Sequence, residues 1–201
     1  APGDADSTSR SRFILSKGHA AVALYAILAR VGFIDAVELG RINRGFLLAE
    51  HPGPHVPGIE FLSGSLGHGL SLGAGVALGE KMNSSESSTL VLLGDGECYE
   101  GPVWEAAQFA AHHHLASLCA IVDRNGMITH GSTEEINSFG DLAGRWRSFG
   151  WNVVELDGHD LIAVLGAFRR FAEGGETRPT VILANTRKGA GVSFMEGKTL
   201  N

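Results

Sequence analysis

A chain of 201 residues with 44% hydrophobic and 19% charged content is long enough for one well-packed core and too short for two full-sized domains. Its formal charge of −6 and the lack of a Lys/Arg-rich stripe argue against nucleic acid as the main partner and point to a small metabolite. There is no apolar run of about 18 residues and no basic-then-apolar leader, and Cys98 and Cys119 form neither a C-x-x-C pair nor a metal cluster, so no membrane span and a reducing cytoplasm are expected. Both ends are abrupt: residues 1–10 are loop-like, and Asn201 closes a Gly-rich segment. The expectation is one domain over 1–201, truncated or disordered at both ends.

In chain order, Ala20, Leu24, Ile27, Leu28 and Val31 recur at helical spacing between Lys17 and Gly32, which is placed to end the helix. From Gly67 to Met82 hardly a polar residue interrupts Leu70, Leu72, Gly73, Ala74, Val76, Ala77 and Leu78, which predicts a buried helix with small residues for close packing. The run 90–93 reads as a buried strand. A helix follows from Pro102 through Trp104, Ala107, Ala111 and Leu115, with proline at the tolerated first position and Glu100 and Glu105 near the positive end of the dipole. A strand at 120–123, a loop at 129–137, a helix at 141–149, a strand at 152–156, a helix at 161–171 and a strand at 180–184 complete the pattern. Strand and helix alternate, and the strands are continuous apolar runs, so both faces of the sheet should be covered. The fold class that follows is α/β, a doubly wound, mainly parallel sheet with helices on both faces.

Gly94-Asp95-Gly96 directly follows the apolar run 89–93, and Asn125 follows a second run, 118–122. Two parallel strands ending at one edge would bring a carboxylate and an amide oxygen together beside a glycine turn, which suits a hard cation carrying a diphosphate. A lone Gly-Asp-Gly proves little, since such pairs serve turns everywhere. His112-His-His114 does not make a metal site, because consecutive helix residues point in different directions. Cys98 and Cys119 read as packed thiols.

The ordered blocks Gly94-Asp95-Gly96-Glu97, Glu100-Gly101, Trp104-Glu105-Ala106 and Val122-Asp123-Arg124-Asn125-Gly126 together resemble the diphosphate-binding domain of thiamine-diphosphate enzymes, specifically transketolases. Further blocks extend the resemblance over almost the whole chain: Arg12-Phe-Ile-Leu-Ser-Lys-Gly-His-Ala20, Glu50-His-Pro52, Pro57-Gly-Ile-Glu60, Gly64-Ser-Leu-Gly-His-Gly69, Gly158-His-Asp160 and Lys188-Gly-Ala-Gly191. The resemblance implies thiamine diphosphate and Mg²⁺ as cofactors. Asp95 and Asn125 would be Mg²⁺ ligands, joined by the main-chain carbonyl of Met127, an oxygen-only shell suited to a small hard ion. The Gly96 N–H would reach a phosphate oxygen. Gly64 and Leu66 match positions that contact the aminopyrimidine and thiazolium parts of the cofactor, with plain packing as the alternative for Leu66.

His19 and His51 are the acid–base or hydrogen-bonding candidates, His19 also touching the cofactor. An isolated loop histidine is usually structural or solvated, but each of these sits in a matching block, and an imidazole can donate or accept near neutral pH. His68 departs from the family, which commonly has Gln there; it keeps a hydrogen-bonding group and adds a titratable one. Lys188 would contact the diphosphate or substrate, a solvated loop cation being the alternative. Glu100 would orient the cofactor loop near a subunit boundary, although a helix-dipole role explains it almost as well.

The family's pyrimidine-binding domain, with the glutamate that activates the cofactor, is not in the sequence. The site would then be completed by another chain or by a further part of this one; the compact blocks resemble the amino-terminal subunit of split bacterial transketolases, which implies a second subunit and a heterotetramer. That enzyme would move a two-carbon ketol unit from a ketose or ketose phosphate to an aldehyde acceptor. Two alternatives stay within thiamine chemistry: the α subunit of a 2-oxoacid dehydrogenase, disfavoured by the Ser-Lys-Gly-His and His-Pro blocks, and a deoxyxylulose-phosphate-synthase-like enzyme, disfavoured by compact spacing. A non-catalytic binding or regulatory subunit is the alternative of another class; the joint presence of Asp95, Asn125, His19 and His51 argues against it.

Overall fold

A computed structural model describes residues 10–45 and 47–198; the expectations for the two ends fall largely on residues outside these. Seven strands and six α-helices are found among the described residues: β1 (Arg12–Leu15), α1 (Ala21–Arg30), α2 (His68–Met82), β2 (Thr89–Gly94), α3 (Gly101–His112), β3 (Leu118–Arg124), β4 (Met127–Ile128), β5 (Gly131–Ser132), α4 (Thr133–Asn137), α5 (Leu142–Ser148), β6 (Asn152–Asp157), α6 (Leu161–Glu173) and β7 (Thr180–Asn185). Five strands form one sheet in the order β1-β2-β3-β7-β6, parallel at every pairing. β4 and β5 form a separate antiparallel hairpin. No helix among the described residues is long and apolar enough to cross a membrane.

Side chains alternate across the strands, and the two faces have different cores. Ile14, Val91, Leu93, Leu118, Ala120, Val122, Val181 and Leu183 meet α2, α3 and α5 on one face. Cys119 and Ile182, with Leu90, Ile121, Val154 and Leu156, meet Ala167, Phe168 and Phe171 of α6 on the other. α1 heads a third cluster, in which Tyr25 and Leu28 pack with Ile34, Leu48 and Val56.

Local chemistry explains the element ends. Asp160 accepts from the amides of Ile162 and Ala163 at the start of α6, Asp141 from Gly144 at α5, and Ser132 from Glu135 at α4. Pro102 sits in the first turn of α3.

Three expectations are corrected. β1 exists where none was predicted. The stretch 129–137, predicted as a loop, contains β5 and α4. The helix predicted between Lys17 and Gly32 opens with a 3₁₀ turn, Gly18–Ala20, and its buried residues are Ala21, Tyr25 and Leu28, whereas Ile27 and Val31 are exposed. Gly18 is held against His51 and Ser63, so the chain turns tightly before the α-helix starts, and the buried stripe shifts by one residue.

α2 packs on β2 at van der Waals distance because Gly73 faces Val91; a Cβ at Gly73 would collide with Val91 Cγ2. Two residues on, a Cβ at Gly75 would meet nothing within 4 Å. Gly73→Ala should therefore lower stability by ~1–3 kcal/mol through overpacking. Gly75→Ala should raise it by up to ~1 kcal/mol through lost backbone entropy in the unfolded chain. Urea denaturation of both variants checks the pair of opposite signs.

Candidate active site

The register of β2 on β3 pairs Gly94 with Asp123. Beyond it, Asp95 N–H donates to the Asp123 carbonyl at 3.2 Å, so the two chains leave the sheet together. Asp95 then turns into a 3₁₀ segment, Gly96–Tyr99. Its Oδ1 accepts from Gly96 N–H at 2.8 Å and its Oδ2 from Gly126 N–H at 2.6 Å. The second bond links Asp95 to the turn carrying Asn125, whose Oδ1 accepts from Met127 N–H at 3.0 Å. Gly126, at φ +73°, redirects the chain into the β4–β5 hairpin.

Asp95, Asn125 and Met127 are thus gathered at one sheet edge. Gly96 N–H, the expected phosphate donor, is bonded to Asp95 Oδ1 within the tight turn. What Gly96 contributes in this arrangement is room: a Cβ there would strike Ile128 Cγ2.

Asp95 is only 2% exposed. Burial pushes its carboxyl above the ordinary carboxylate range; the two amides oppose this, Asp123 adds to it, and Lys17 works against it. Such a group gains from a cation, and the oxygens of Asp95, Asn125 and a main-chain carbonyl form a donor set that fits Mg²⁺. No group of three or more His, Cys, Asp or Glu side chains among the described residues is arranged to hold a metal, which is compatible with a shell built on a single carboxylate.

A second group of charges stands beside this edge. Lys17, 7% exposed, forms an ion pair with Asp123 Oδ2, while Thr186 donates its hydroxyl to Asp123 Oδ1. Burial pushes the Asp123 carboxyl up, but the Lys17 ammonium and the hydrogen bonds from Lys17, Thr186 and Asn125 outweigh it and leave the group below its ordinary value. His19 is exposed. Partial desolvation, then the charges of Lys17 and Lys188 and the nearby His51, lower its pKa, with Asp123 opposing. Lys188 is half-buried after β7 and close enough to act on His19.

His51 reaches the same place from another segment. A Cβ on Gly18 would lie 2.9 Å from His51 Cδ2 and 2.8 Å from Ser63 Oγ, and one on Gly64 would lie 3.6 Å from His51 Cγ. Three loops therefore approach at contact distance, those of Gly18-His19, His51 and Ser63-Gly64. Gly64 at φ +145° and Gly67 at φ +85° give the third loop a course that side chains resist.

Of the remaining expected residues, Leu66 is 36% exposed, so core packing does not account for it. His68 opens α2 at the surface, beside a shallow depression lined by Ser16, Phe61, Ser63 and Leu72, and is not among the charges acting on His19. Glu100 is an exposed residue at the head of α3, packed against Gly67. His113 packs against Phe109 with ring centroids 4.3 Å apart and planes tilted by 50°. Both cysteines are free and buried, and burial pushes the Cys119 thiol up to about 12.

Sequence reasoning passed over Ser16, Lys17, Glu97, Asp123 and Thr186. The first four lie inside quoted motif blocks, so position within the block was the available signal; Thr186 had none.

The family described as the transketolase, thiamine diphosphate-binding domain matches residues 1–200. The chain is 41% identical over 197 residues to an apulose-4-phosphate transketolase subunit of Phocaeicola vulgatus, covering 98% of this chain and 70% of that protein. It is 42% identical over 191 residues to the 6-deoxy-6-sulfo-D-fructose transketolase subunit SqwG of a Clostridium species, covering 94% of this chain and 69% of that protein. Among solved structures, a mutant transketolase of Pichia stipitis superposes with a TM-score of 0.93 at 33% identity, covering 98% of this chain and 31% of that one. The transketolase of Campylobacter jejuni gives 0.93 at 26%, covering 98% and 32%. The chain thus spans about a third of these solved transketolases and about 70% of the subunit-type relatives. Of the readings drawn from sequence it is the first that these matches support, and the chain belongs to the transketolase family of transferases, carrying its thiamine diphosphate-binding domain.

Proposed function

We propose that this chain is the cofactor-binding subunit of a split transketolase, which uses Mg²⁺ and thiamine diphosphate to move a two-carbon ketol unit from a ketose or ketose phosphate to an aldehyde acceptor. The observation that carries the proposal is the meeting of Asp95 with the Asn125 turn through the Gly126 amide, beside the His19–His51–Lys188 group. Bound thiamine diphosphate supplies the electron sink for the transferred unit. The Asp95 carboxylate, the Asn125 amide oxygen and the Met127 carbonyl would hold Mg²⁺. Lys188 supplies positive charge for a diphosphate or an anionic sugar, and Gly64 lets the loop come close to the cofactor ring. Leu66, with its exposed apolar side chain, would lie against the cofactor, His68 would offer it a hydrogen bond from the head of α2, and Glu100 would brace the Gly67 turn.

His19 and His51 would handle protons on substrate hydroxyls. With its pKa held low, His19 is neutral at pH 7 and can accept a proton or donate its remaining N–H. Lys17, tied to Asp123, holds a positive charge beside that imidazole.

The relatives named as subunits, and the chain's coverage of about 70% of their length, support a partner chain. We extend the proposal to a heterotetramer in the bacterial cytoplasm, the partner bringing the pyrimidine-binding domain and activating glutamate. The sugars named for those relatives carry a phosphate or a sulfonate, so an anionic ketose is the substrate class we expect.

Asp95→Ala should abolish Mg²⁺-dependent binding of thiamine diphosphate, read by calorimetry with and without a chelator; binding unchanged by the substitution would refute the metal site. The His19 shift gives a second test. Because the folded pKa lies below the unfolded value of about 6.5, the unfolded chain binds more protons in between. The stabilising contribution is present above that value and is lost as pH falls through the lower, folded one. His19→Gln should therefore lose less stability than the wild type between about pH 7 and 5, the difference being reduced by solvent screening at this open ring. Parallel slopes in urea denaturation would contradict it.

A further inference from the structure

Behind the sheet edge lies a buried acid that the proposed chemistry does not use. Glu97 is 2% exposed and Ser16 3%. Glu97 Oε1 accepts from the Ser16 hydroxyl and from Gly67 N–H at 2.8 Å, and Oε2 accepts from Gly94 N–H at 3.2 Å. The Ser16 oxygen in turn accepts from Gly69 N–H at 3.1 Å. Every member of this network has a partner, which is the condition for a buried polar cluster to add order and not disorder.

The donors come from three separate parts of the chain. Ser16 follows the last residue of β1 and precedes Lys17-Gly18-His19. Gly67 is the N-cap of α2 and follows Gly64-Ser65-Leu66. Gly94 ends β2 and precedes Asp95. The start of α2 has no capping side chain and no acidic residue in its first turn. Its amides at Gly67 and Gly69 are satisfied by Glu97 and Ser16, and the carboxylate lies at the positive end of the helix dipole. The glycines make this possible: a Cβ on Gly69 would collide with Ser16, and one on Gly67 would lie 2.6 Å from Glu100 Cβ.

We propose that Glu97 is a positioning residue for the cofactor site, setting the mutual placement of the His19 segment, the Gly64–Leu66 loop and the Asp95 turn from behind. This rests on the reading of those three segments as the thiamine diphosphate site. An amide at position 97 can serve only one side of the network, since Ser16, Gly67 and Gly94 all present donors. Glu97→Gln therefore loses part of the network, and Ser16→Ala removes a different part while leaving the carboxylate.

The test uses the full-length protein in its native assembly. Amide hydrogen exchange on the cofactor-free protein reports the network itself, and calorimetric titration with thiamine diphosphate and Mg²⁺ reports its effect. Glu97→Gln and Ser16→Ala should each speed exchange at Gly67, Gly69 or Gly94 and raise the cofactor Kd ~10-fold, the range expected for an unpaired buried group. The double variant should raise it by less than the product of the two, because the groups act as one unit. Gly73→Ala, which strains α2 outside the network, serves as the control for a merely destabilised fold and should leave the Kd within about twofold. Faster exchange with an unchanged Kd in both single variants would overturn the inference while leaving the function intact. Wild-type protein that binds no cofactor would overturn the function and this inference with it. If Glu97→Gln fails to fold, Ser16→Ala alone decides.

Discussion

Parallel pairing of β2 with β3, with Gly94 opposite Asp123, is the constraint on which the site depends. A parallel ladder sends both strands out of the same sheet edge, and a one-residue slip would exchange buried and opposite faces along the whole run. Leu93 and Val122, both fully buried, lock the register against α2 and α3. With the register fixed, Asp95 and Asn125 cannot avoid each other: the Asp95 N–H is already bonded to the Asp123 carbonyl, and the Asp95 side chain catches the Gly126 amide. The site is in this sense a product of core packing several residues below it.

Two neighbouring carboxylates at this edge are treated differently by their surroundings. Asp123 is paired with Lys17 and Thr186, which together overcome its burial and hold its carboxyl low. Asp95 is bonded directly only to backbone amides, so burial dominates and its carboxyl is held high. A carboxylate already matched by an ammonium has little to gain from a metal, whereas one held by amides alone has much. On the proposed reading this divides the labour: Asp123 fixes Lys17 and, through it, the electrostatics around His19, and Asp95 is left to meet the cation.

Much of the frame was legible in the sequence because strands covered on both faces are continuous apolar runs. The prediction of 90–93 and 180–184 came within a residue of β2 and β7 at each end. β1 escaped because four residues opening on an arginine carry no usable period, and the two-residue strands of the β4–β5 hairpin are shorter still. At the site, Asp95, Asn125, His19, His51 and Lys188 stood out as polar residues at the ends of apolar runs or in motif blocks, and the fold gathers them. The buried partners did not stand out, since pattern reading assigns Lys and Glu to the surface. Lys17 and Glu97 are buried because glycine amides, a distant aspartate and a distant serine satisfy them, and all of those pairings except that with Gly94 span separations of 30 to 106 residues. Only the folded chain reveals them.

On the proposed reading, the Asp95–Asn125 edge holds a divalent cation that carries the cofactor diphosphate. The most direct test is electron paramagnetic resonance of the native assembly with Mn²⁺ in place of Mg²⁺, in the presence of thiamine diphosphate. A bound Mn²⁺ signal with phosphorus hyperfine coupling is expected in the wild type and should be lost on Asn125→Ala. A wild-type signal lacking that coupling, or one that survives Asn125→Ala unchanged, would contradict that reading.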